Sequence, residues 1–360
     1  MNLLEIVPTL KTGGAEKFVV ELCNELAQRK DINVQILQLG PITDADICAQ
    51  SLTDKVSRIS LNKKSGFTLK AMLGVFRYIR KNQITHVHAH TSAISYILLP
   101  ALFCRKVKFY ATIHSDAKVD AIGSFIIPLI RKILFKMRLC MPVTISDESN
   151  KSFMEFYGMN APLIYNGIGI KHSKGEESTF AEKGLHFVHV ARVNPQKNQV
   201  TLYQAFNKLV AEGTPAYLYH YGRFDDSDIS NELRSLCNEH IKIMGETSNV
   251  PNILHFADAL CLSSNIEGMP MTIIEALSSE CPVICTPVGG CINMITDGEN
   301  GILSKDTTVD EYYLALKRFV DLSSEKINEM KKRAKESFSL YDIRNTANKY
   351  LELFEMTPKR

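Results

Sequence analysis

The chain has no run of about 18 apolar residues, the length a helix needs to cross a bilayer, so no membrane-spanning helix is expected. Its start, Met1-Asn2-Leu3-Leu4-Glu5, lacks the charged segment and apolar stretch of a secretion signal. The 9 cysteines form no C-x-x-C pair. Several sit inside apolar stretches such as Ala259-Leu260-Cys261-Leu262. That pattern reads as buried, reduced thiols in a cytoplasmic protein, not as a disulfide frame. Low-complexity tracts and short repeats are missing as well. Net charge is small: 42 Lys+Arg minus 39 Asp+Glu leaves +3. A dedicated nucleic-acid binder would carry more, so nucleic acid is not an expected partner.

What is present is an ordinary globular composition, 45% hydrophobic and 22% charged over 360 residues. That length predicts two domains. The charge is unevenly shared. Residues 1–180 hold 23 Lys+Arg against 15 Asp+Glu, a net of +8, and residues 181–360 hold 19 against 24, a net of −5. The near-neutral total hides a basic half and an acidic half.

Short apolar runs alternate with amphipathic stretches almost throughout. Strands are predicted at 3–10, 33–39, 56–61, 86–90, 108–114, 142–146 and 162–168, with helices at 15–29, 68–81, 92–103, 121–139 and 147–157. A polar stretch without periodicity, 171–178, reads as a linker. The pattern then resumes with strands at 186–193, 216–221, 241–244, 259–263, 283–287 and 301–303. Helices are predicted among them at 198–211, 229–239 and 270–279, and a mostly helical end follows. Repeated β-then-α order implies parallel strands joined by right-handed crossovers. The expected fold class is therefore α/β, two Rossmann-like domains in tandem, with ligands at the carboxyl ends of the strands and a cleft between the domains as the default site.

The strongest local signal is Ser263-Ser264-Asn265-Ile266-Glu267-Gly268-Met269-Pro270-Met271-Thr272-Ile273-Ile274-Glu275. It reads as strand end, loop and helix start, with Pro270 expected at the first helical position. Gly268 lets backbone approach a ligand, and the free N–H groups of a helix start favour phosphate or hydroxyl oxygen. Glu267 and Glu275 could each hold a pair of hydroxyls. On spacing alone, Glu267 could equally be a helix cap and Glu275 an exposed helix residue. Ala191-Arg192-Val193-Asn194-Pro195-Gln196-Lys197 ends the first strand of the second half. Its two cations could clamp a diphosphate, Arg as a planar fork and Lys as a mobile point charge, or could simply be solvated.

Taken in order, these stretches resemble the retaining glycosyltransferases of family 4, which have the GT-B fold, and the likeness covers nearly the whole chain. Gly13-Gly14-Ala15-Glu16 is similar to that family's loop after the first strand. Val87-His88-Ala89-His90 and Thr112-Ile113-His114 resemble its histidine-bearing strand ends, and Tyr165-Asn166-Gly167-Ile168 its passage into the second domain. Arg192 and Lys197, the Glu267-to-Glu275 motif, Val288-Gly289-Gly290 and Asp297-Gly298-Glu299-Asn300-Gly301 complete the match.

The resemblance implies roles. Arg192 and Lys197 would hold the diphosphate of a nucleotide sugar and neutralise the leaving group. Glu275 would bind the ribose. Glu267 would contact donor-sugar hydroxyls, beside backbone at Gly268, Met269, Pro270 and Met271. Gly13 and Gly14 would approach the diphosphate. His114 would lie near the reacting carbon, and Glu16 would face the acceptor. Where the family often has Glu after the late Gly-Gly, Asn293 stands here.

The expected domains are an acceptor-binding 1–170, a donor-binding 171–340, and a helix at 341–360 packing back on the first. The implied activity is retaining transfer of a hexosyl group from a nucleotide-diphosphate sugar, UDP being the commoner donor. The acceptor would be a hydroxyl of a glycan or lipid-linked molecule in cell-surface polysaccharide or glycolipid synthesis. A nucleotide-sugar epimerase or a non-catalytic nucleotide-sugar-binding subunit are the alternatives. No cofactor and no metal are expected. His86, His88 and His90 share one side of a strand, but no Asp or Cys set accompanies them, so a structural or acceptor-side role is favoured over a metal, with His90, nearest the strand end, assigned to the acceptor side. The triplets Asp44-Ala45-Asp46 and Asp226-Ser227-Asp228 lie in polar loops. The basic helical stretch 120–140 reads either as a surface helix on an anionic membrane or as a core helix with a cationic edge. The basic first half favours a peripheral position on the cytoplasmic face of the membrane.

Overall fold

The computed structural model describes residues 1–114, 117, 126–170 and 180–356. The expected linker at 171–178 and the opening of the basic helix at 120–125 lie outside the described residues. Two compact units make up the chain, Met1–Gly169 with Tyr341–Arg360, and Ile170–Leu340.

The first unit is a sheet of six parallel strands: β1 (Asn2–Val7), β2 (Asn33–Gln38), β3 (Ser57–Ser60), β4 (His86–His90), β5 (Lys108–Ile113) and β6 (Met141–Thr144). Their order across the sheet is β3-β2-β1-β4-β5-β6. The crossovers carry α1 (Gly14–Leu26), α2 (Leu69–Lys81), α3 (Leu98–Phe103), α4 (Ile126–Lys136) and α5 (Asp147–Tyr157). Helix α1 buries Phe18, Val19, Leu22 and Leu26, an i, i+4 stripe facing the sheet. Helix α5 has clear punctuation. Ser146 and Ser149 cap its start reciprocally, and Gly158, at φ 68°, ends it in the left-handed conformation.

The second unit repeats that plan with β7 (Leu185–Val190), β8 (Ala216–Tyr221), β9 (Ile241–Gly245), β10 (Ala259–Leu262), β11 (Val283–Cys285) and β12 (Gly301–Leu303). The order is β12-β11-β10-β7-β8-β9, all parallel. Counted from each unit's first strand, the two orders are the same, that of a dinucleotide-binding sheet. Its helices are α6 (Gln199–Ala211), α7 (Asp228–Leu236), α8 (Val250–Phe256), α9 (Met271–Ser278), α10 (Cys291–Met294), α11 (Val309–Val320) and α12 (Ser324–Ser337). Helices α8 and α10 were not expected. Each is too short to show a helical period, and α8 contains Pro251.

One predicted strand is absent. Residues 162–168 form only two isolated bridges, Thr144 with Leu163 and Ile168 with Asp342. The segment instead anchors α13 (Ile343–Met356). Ile168 N–H donates to the Tyr341 carbonyl and Ile343 N–H to the Ile168 carbonyl, both at 3.0 Å, and Thr346 Oγ1 donates to the Tyr165 carbonyl at 3.0 Å. Gly167 is required here, because a Cβ would stand 2.8 Å from the Cα of Ile343.

Helix α13 packs against α1 within the first unit, burying Tyr350 and Phe354. Phe354 lies 4.5 Å, centroid to centroid, from Tyr110 of β5. Replacing Phe354 by Ala should cost about 3–5 kcal/mol of stability. The measurement is a urea unfolding midpoint; a change under about 1 kcal/mol would mean that α13 is not part of this core.

Candidate active site

In a doubly wound sheet, strand order reverses at one point, and the loops leaving the carboxyl ends there part company to leave a crevice. That point falls between β1 and β4 in the first unit and between β7 and β10 in the second. The loops concerned are those holding Gly13-Gly14, His90, Arg192 to Lys197, and Ser263 to Pro270.

In the second unit the two loops are sewn together. Ser263 Oγ donates to the carbonyls of Lys197 (3.0 Å) and Asn198 (2.9 Å), and Asn265 N–H donates to the Gln196 carbonyl at 2.8 Å. Lys197 Nζ then meets Glu267 Oε1 at 2.7 Å, and Ser264 Oγ donates to the same oxygen at 2.6 Å. No hydrogen bond to Glu267 Oε2 is found among the described residues. The Glu267 side chain is therefore fixed by one oxygen and open at the other, an arrangement suited to accepting a hydroxyl. Arg192, on the same loop as Lys197, is exposed and makes no ion pair among the described residues. Its loop is held by its own backbone: the Arg192 carbonyl accepts from Gln199 Nε2 at 2.9 Å, and Val193 N–H donates to the Arg223 carbonyl at 3.0 Å.

A third loop supports this pair. Thr286 Oγ1 donates to the Ser264 carbonyl at 2.6 Å, and Gly290 N–H to the Gly268 carbonyl at 2.9 Å. Gly289, at φ 49°, sits so close that a Cβ would run into the Glu267 carbonyl. Only glycine combines that conformation with that approach. Met269 and Met271 are buried, and Glu275, one turn into α9, is also buried. Pro270 is the residue before α9 rather than its first residue, with ψ 114° outside the helical range. Sequence reading included Ser263 and Ser264 in the motif but gave them no role, and missed Thr286; small hydroxyl residues at two strand ends were the available signal. Asn293, in place of the expected Glu, is exposed on α10.

In the first unit Gly13 precedes α1, and a Cβ there would collide with the Glu16 carboxylate, which folds back over its own helix start. Gly14 is exposed. His114 follows β5 directly. Beneath it lies a buried polar row on the sheet face covered by α1 and α13. Glu5 of β1 is fully buried and opposite His88 in register. His90 Nε2–H donates to Glu5 Oε2 at 2.6 Å, and His88 Nδ1–H to Glu5 Oε1 at 3.2 Å. His88 Nε2 shares a 2.7 Å hydrogen bond with Thr112 Oγ1, which meets Tyr350 Oη at 2.8 Å. His90 Nδ1 and His114 Nε2 are 2.9 Å apart.

Burial alone would raise the Glu5 carboxyl, but Coulomb attraction to His88 and the N–H donors of both histidines outweigh it and hold it at about 2. Burial, reinforced by His88, lowers His90 to about 4 against the opposing pull of Glu5. Burial and the same histidine neighbours push His114 down as well.

Two expectations need correction. His90 has 1% exposure and both ring nitrogens engaged, so it has no atom left for an acceptor. The histidines do have a carboxylate partner, contributed by β1, and ligating atoms of Glu5, His88 and His90 lie within 4.8 Å of one another. The 2.6 Å separation of Glu5 Oε2 and His90 Nε2 is that of a hydrogen bond, whereas two ligands on one tetrahedral zinc at about 2.0 Å stand about 3.3 Å apart. Of the two readings of the basic helical stretch, the described part agrees with the core helix: Arg131 of α4 is buried and donates to the Thr91 carbonyl at 2.8 Å. Helix α4 is therefore a core helix with a cationic edge. Of the two acidic triplets, Asp46 is buried against Arg58 and Gln38, and Asp228 lies in the first turn of α7.

Comparison with known proteins decides the family. Residues 12–172 match the family model described as Glycosyltransferase Family 4, and residues 171–337 match the one described as Glycosyl transferases group 1. The chain belongs to the family 4 glycosyltransferases. Among relatives of this glycosyltransferase, the Campylobacter jejuni GalNAc-alpha-(1->4)-GalNAc-alpha-(1->3)-diNAcBac-PP-undecaprenol alpha-1,4-N-acetyl-D-galactosaminyltransferase is 22% identical over 98% of both chains. The Escherichia coli UDP-Gal:alpha-D-GlcNAc-diphosphoundecaprenol alpha-1,3-galactosyltransferase is 24% identical, over 81% of this chain and 80% of its own. Among solved structures, Anabaena Alr3699/HepE in complex with UDP superposes with a TM-score of 0.82 at 17% identity, covering 99% of this chain and 100% of that one. The fold is GT-B.

The buried row gives the glycosyltransferase an acid-sensitive first unit. Glu5 at about 2 against an ordinary 4.5 contributes stability above pH 4.5 that is lost as pH falls toward 2. His90 at about 4 against 6.5 has the same sign, since below pH 6.5 the unfolded chain takes up a proton that the folded one refuses. The urea midpoint should therefore fall steadily from about pH 7 to about pH 4.5. A flat profile would show that His90 is not buried in neutral form.

Proposed function

We propose that this enzyme is a retaining, metal-independent hexosyltransferase that moves a sugar from a nucleotide diphosphate to a hydroxyl of a lipid-linked glycan. The observation that carries the reading is the pair of switch-point loops in the second unit, where Glu267 is held by Lys197 of one loop and Ser264 of its own, with Arg192 on the loop of Lys197. Arg192 and Lys197 supply positive charge for a diphosphate, so the leaving group is stabilised by side chains. Glu267 accepts donor-sugar hydroxyls through Oε2, Glu275 takes the ribose, and the backbone from Gly268 to Met271 lies alongside. The leaving phosphate receives the acceptor's proton on the same face of the sugar, and the chain's task is positioning and charge stabilisation.

UDP as the donor nucleotide is supported by the Anabaena protein, whose structure is a complex with UDP, and by the UDP-Gal donor in the Escherichia coli relative's name. A lipid-linked acceptor is supported by the undecaprenol-linked substrates named for two relatives. The relatives' names are those of transferases, which lends nothing to an epimerase or a silent subunit. Work at the cytoplasmic face of a membrane fits a chain in which no described helix is long and apolar enough to cross one.

The charge of the first unit supports the same placement. Residues 55–115 contain 11 Lys+Arg and no Asp or Glu. On α2 and α3, exposed Leu69, Leu73, Leu102 and Phe103 stand among Lys70, Arg77, Arg80, Lys81, Arg105 and Lys106. A groove of about 710 Å³ opens between Phe76 and Phe103, at the amino ends of β4 and β5 and away from the candidate residues. Apolar side chains ringed by cations suit an anionic bilayer surface.

Two experiments test this reading. In a binding panel of nucleotide diphosphates and their sugars, UDP should bind, and Lys197→Ala or Glu267→Ala should each lower turnover by about 10²–10³ with far-UV circular dichroism unchanged. Full turnover in both variants would overturn the site. Separately, the protein should sediment with anionic liposomes in a salt-sensitive manner, and Arg77→Glu with Lys81→Glu should abolish this. Salt-insensitive or absent binding would remove the membrane from the proposal.

A further inference from the structure

We infer that Glu5 and His90 are positioning residues that lock His114 in the tautomer whose Nδ1 is a bare acceptor, and that this nitrogen takes a hydrogen bond from a substrate hydroxyl. The inference rests on the reading of His114 as a site residue and adds what that residue can recognise.

The argument is one of proton accounting. Glu5 is ionised and fully buried, so it can only accept, and the nitrogen 2.6 Å away, His90 Nε2, must carry the proton. A neutral imidazole has one N–H, so His90 Nδ1 is a lone pair. The 2.9 Å contact to His114 then requires His114 to donate from Nε2. His114 is neutral too, which leaves Nδ1 without a proton. That Nδ1 is shielded from water and has no hydrogen-bond partner among the described residues, a state that costs about 1–3 kcal/mol until a donor arrives. Phe18 packs edge-on against both imidazoles, at 6.3 Å from His90 and 5.7 Å from His114, and restrains ring rotation.

The consequence is selective. Phosphate oxygens at neutral pH are acceptors and would repel a second lone pair, so His114 does not serve the diphosphate. A sugar or acceptor hydroxyl can donate, and a substrate lacking that hydroxyl would leave the cost in place.

The primary test is long-range proton–nitrogen correlation on the full chain labelled with ¹⁵N-histidine. Both His90 and His114 should appear as neutral Nε2–H tautomers from about pH 6 to pH 8. An Nδ1–H or a doubly protonated His114 in that range, or stoichiometric zinc in the purified protein, would overturn the relay. This measurement uses the unaltered protein, so a variant that misfolds cannot obscure it.

Kinetics supply the second arm, read as UDP release from UDP-glucose, UDP-galactose and their N-acetyl counterparts. His90→Leu breaks the relay and should lower kcat at least about tenfold with a smaller change in KM. His90→Gln, whose amide can donate to Glu5 and accept from His114, should restore kcat to within about threefold of the parent and keep the His114 tautomer. If His90→Leu leaves kcat and tautomer as they were, the relay falls. If His114→Ala keeps full turnover, the site reading falls instead, which separates the two failures.

Discussion

Every strand of a parallel sheet must run the same way, so every loop that leaves a carboxyl end does so on one edge. The rest of this enzyme depends on that constraint. It is obeyed twice with the same strand order, and each time the reversal of winding opens a crevice beside the first strand. Residues far apart in sequence arrive there without any special device. Lys197 and Glu267 are separated by 70 positions and meet because β7 and β10 are neighbours.

The chain handles its two key carboxylates in opposite ways. Glu5 is removed from water entirely, and both of its oxygens are taken by imidazole N–H groups, so it has become part of the scaffold. Glu267 keeps one oxygen in a lysine–serine clamp and leaves the other open. A buried charge is tolerable only when it is well paired, as Glu5 is. The same contrast holds for the cations. Arg131 is consumed by the core while Arg192 stays in solvent.

Much of this was legible in the sequence because it is local. Strand β4 and helix α5 were read to the residue, and the loop from Ser263 to Pro270 announced itself by a strand, a glycine, a proline and a helix in succession. The unreadable parts depend on partners distant along the chain. His-Val-His-Ala-His alternates like a strand with one wet face, yet both faces are buried, because α13 covers the histidine side from more than two hundred residues away. Glu5 gave no sign of its role, since only the register of β1 on β4 sets it opposite His88. The segment at 162–168 had the composition of a strand, and its bonds go to the start of α13 instead. Helix α4 kept its amphipathic pattern while turning Arg131 inward, a choice made by the Thr91 carbonyl and invisible to periodicity.

The position of α13 has a consequence for the newly made chain. Sheet, α1 and histidine row of the first unit are synthesised early, but Tyr350 and Phe354, which seal them, follow the whole of the second unit. As the polypeptide emerges, the second unit can close on residues it already owns, while the first waits with Glu5, His88 and Tyr110 uncovered. The first unit to be started is thus the last to be finished, and its histidine row is the part that waits longest for its cover.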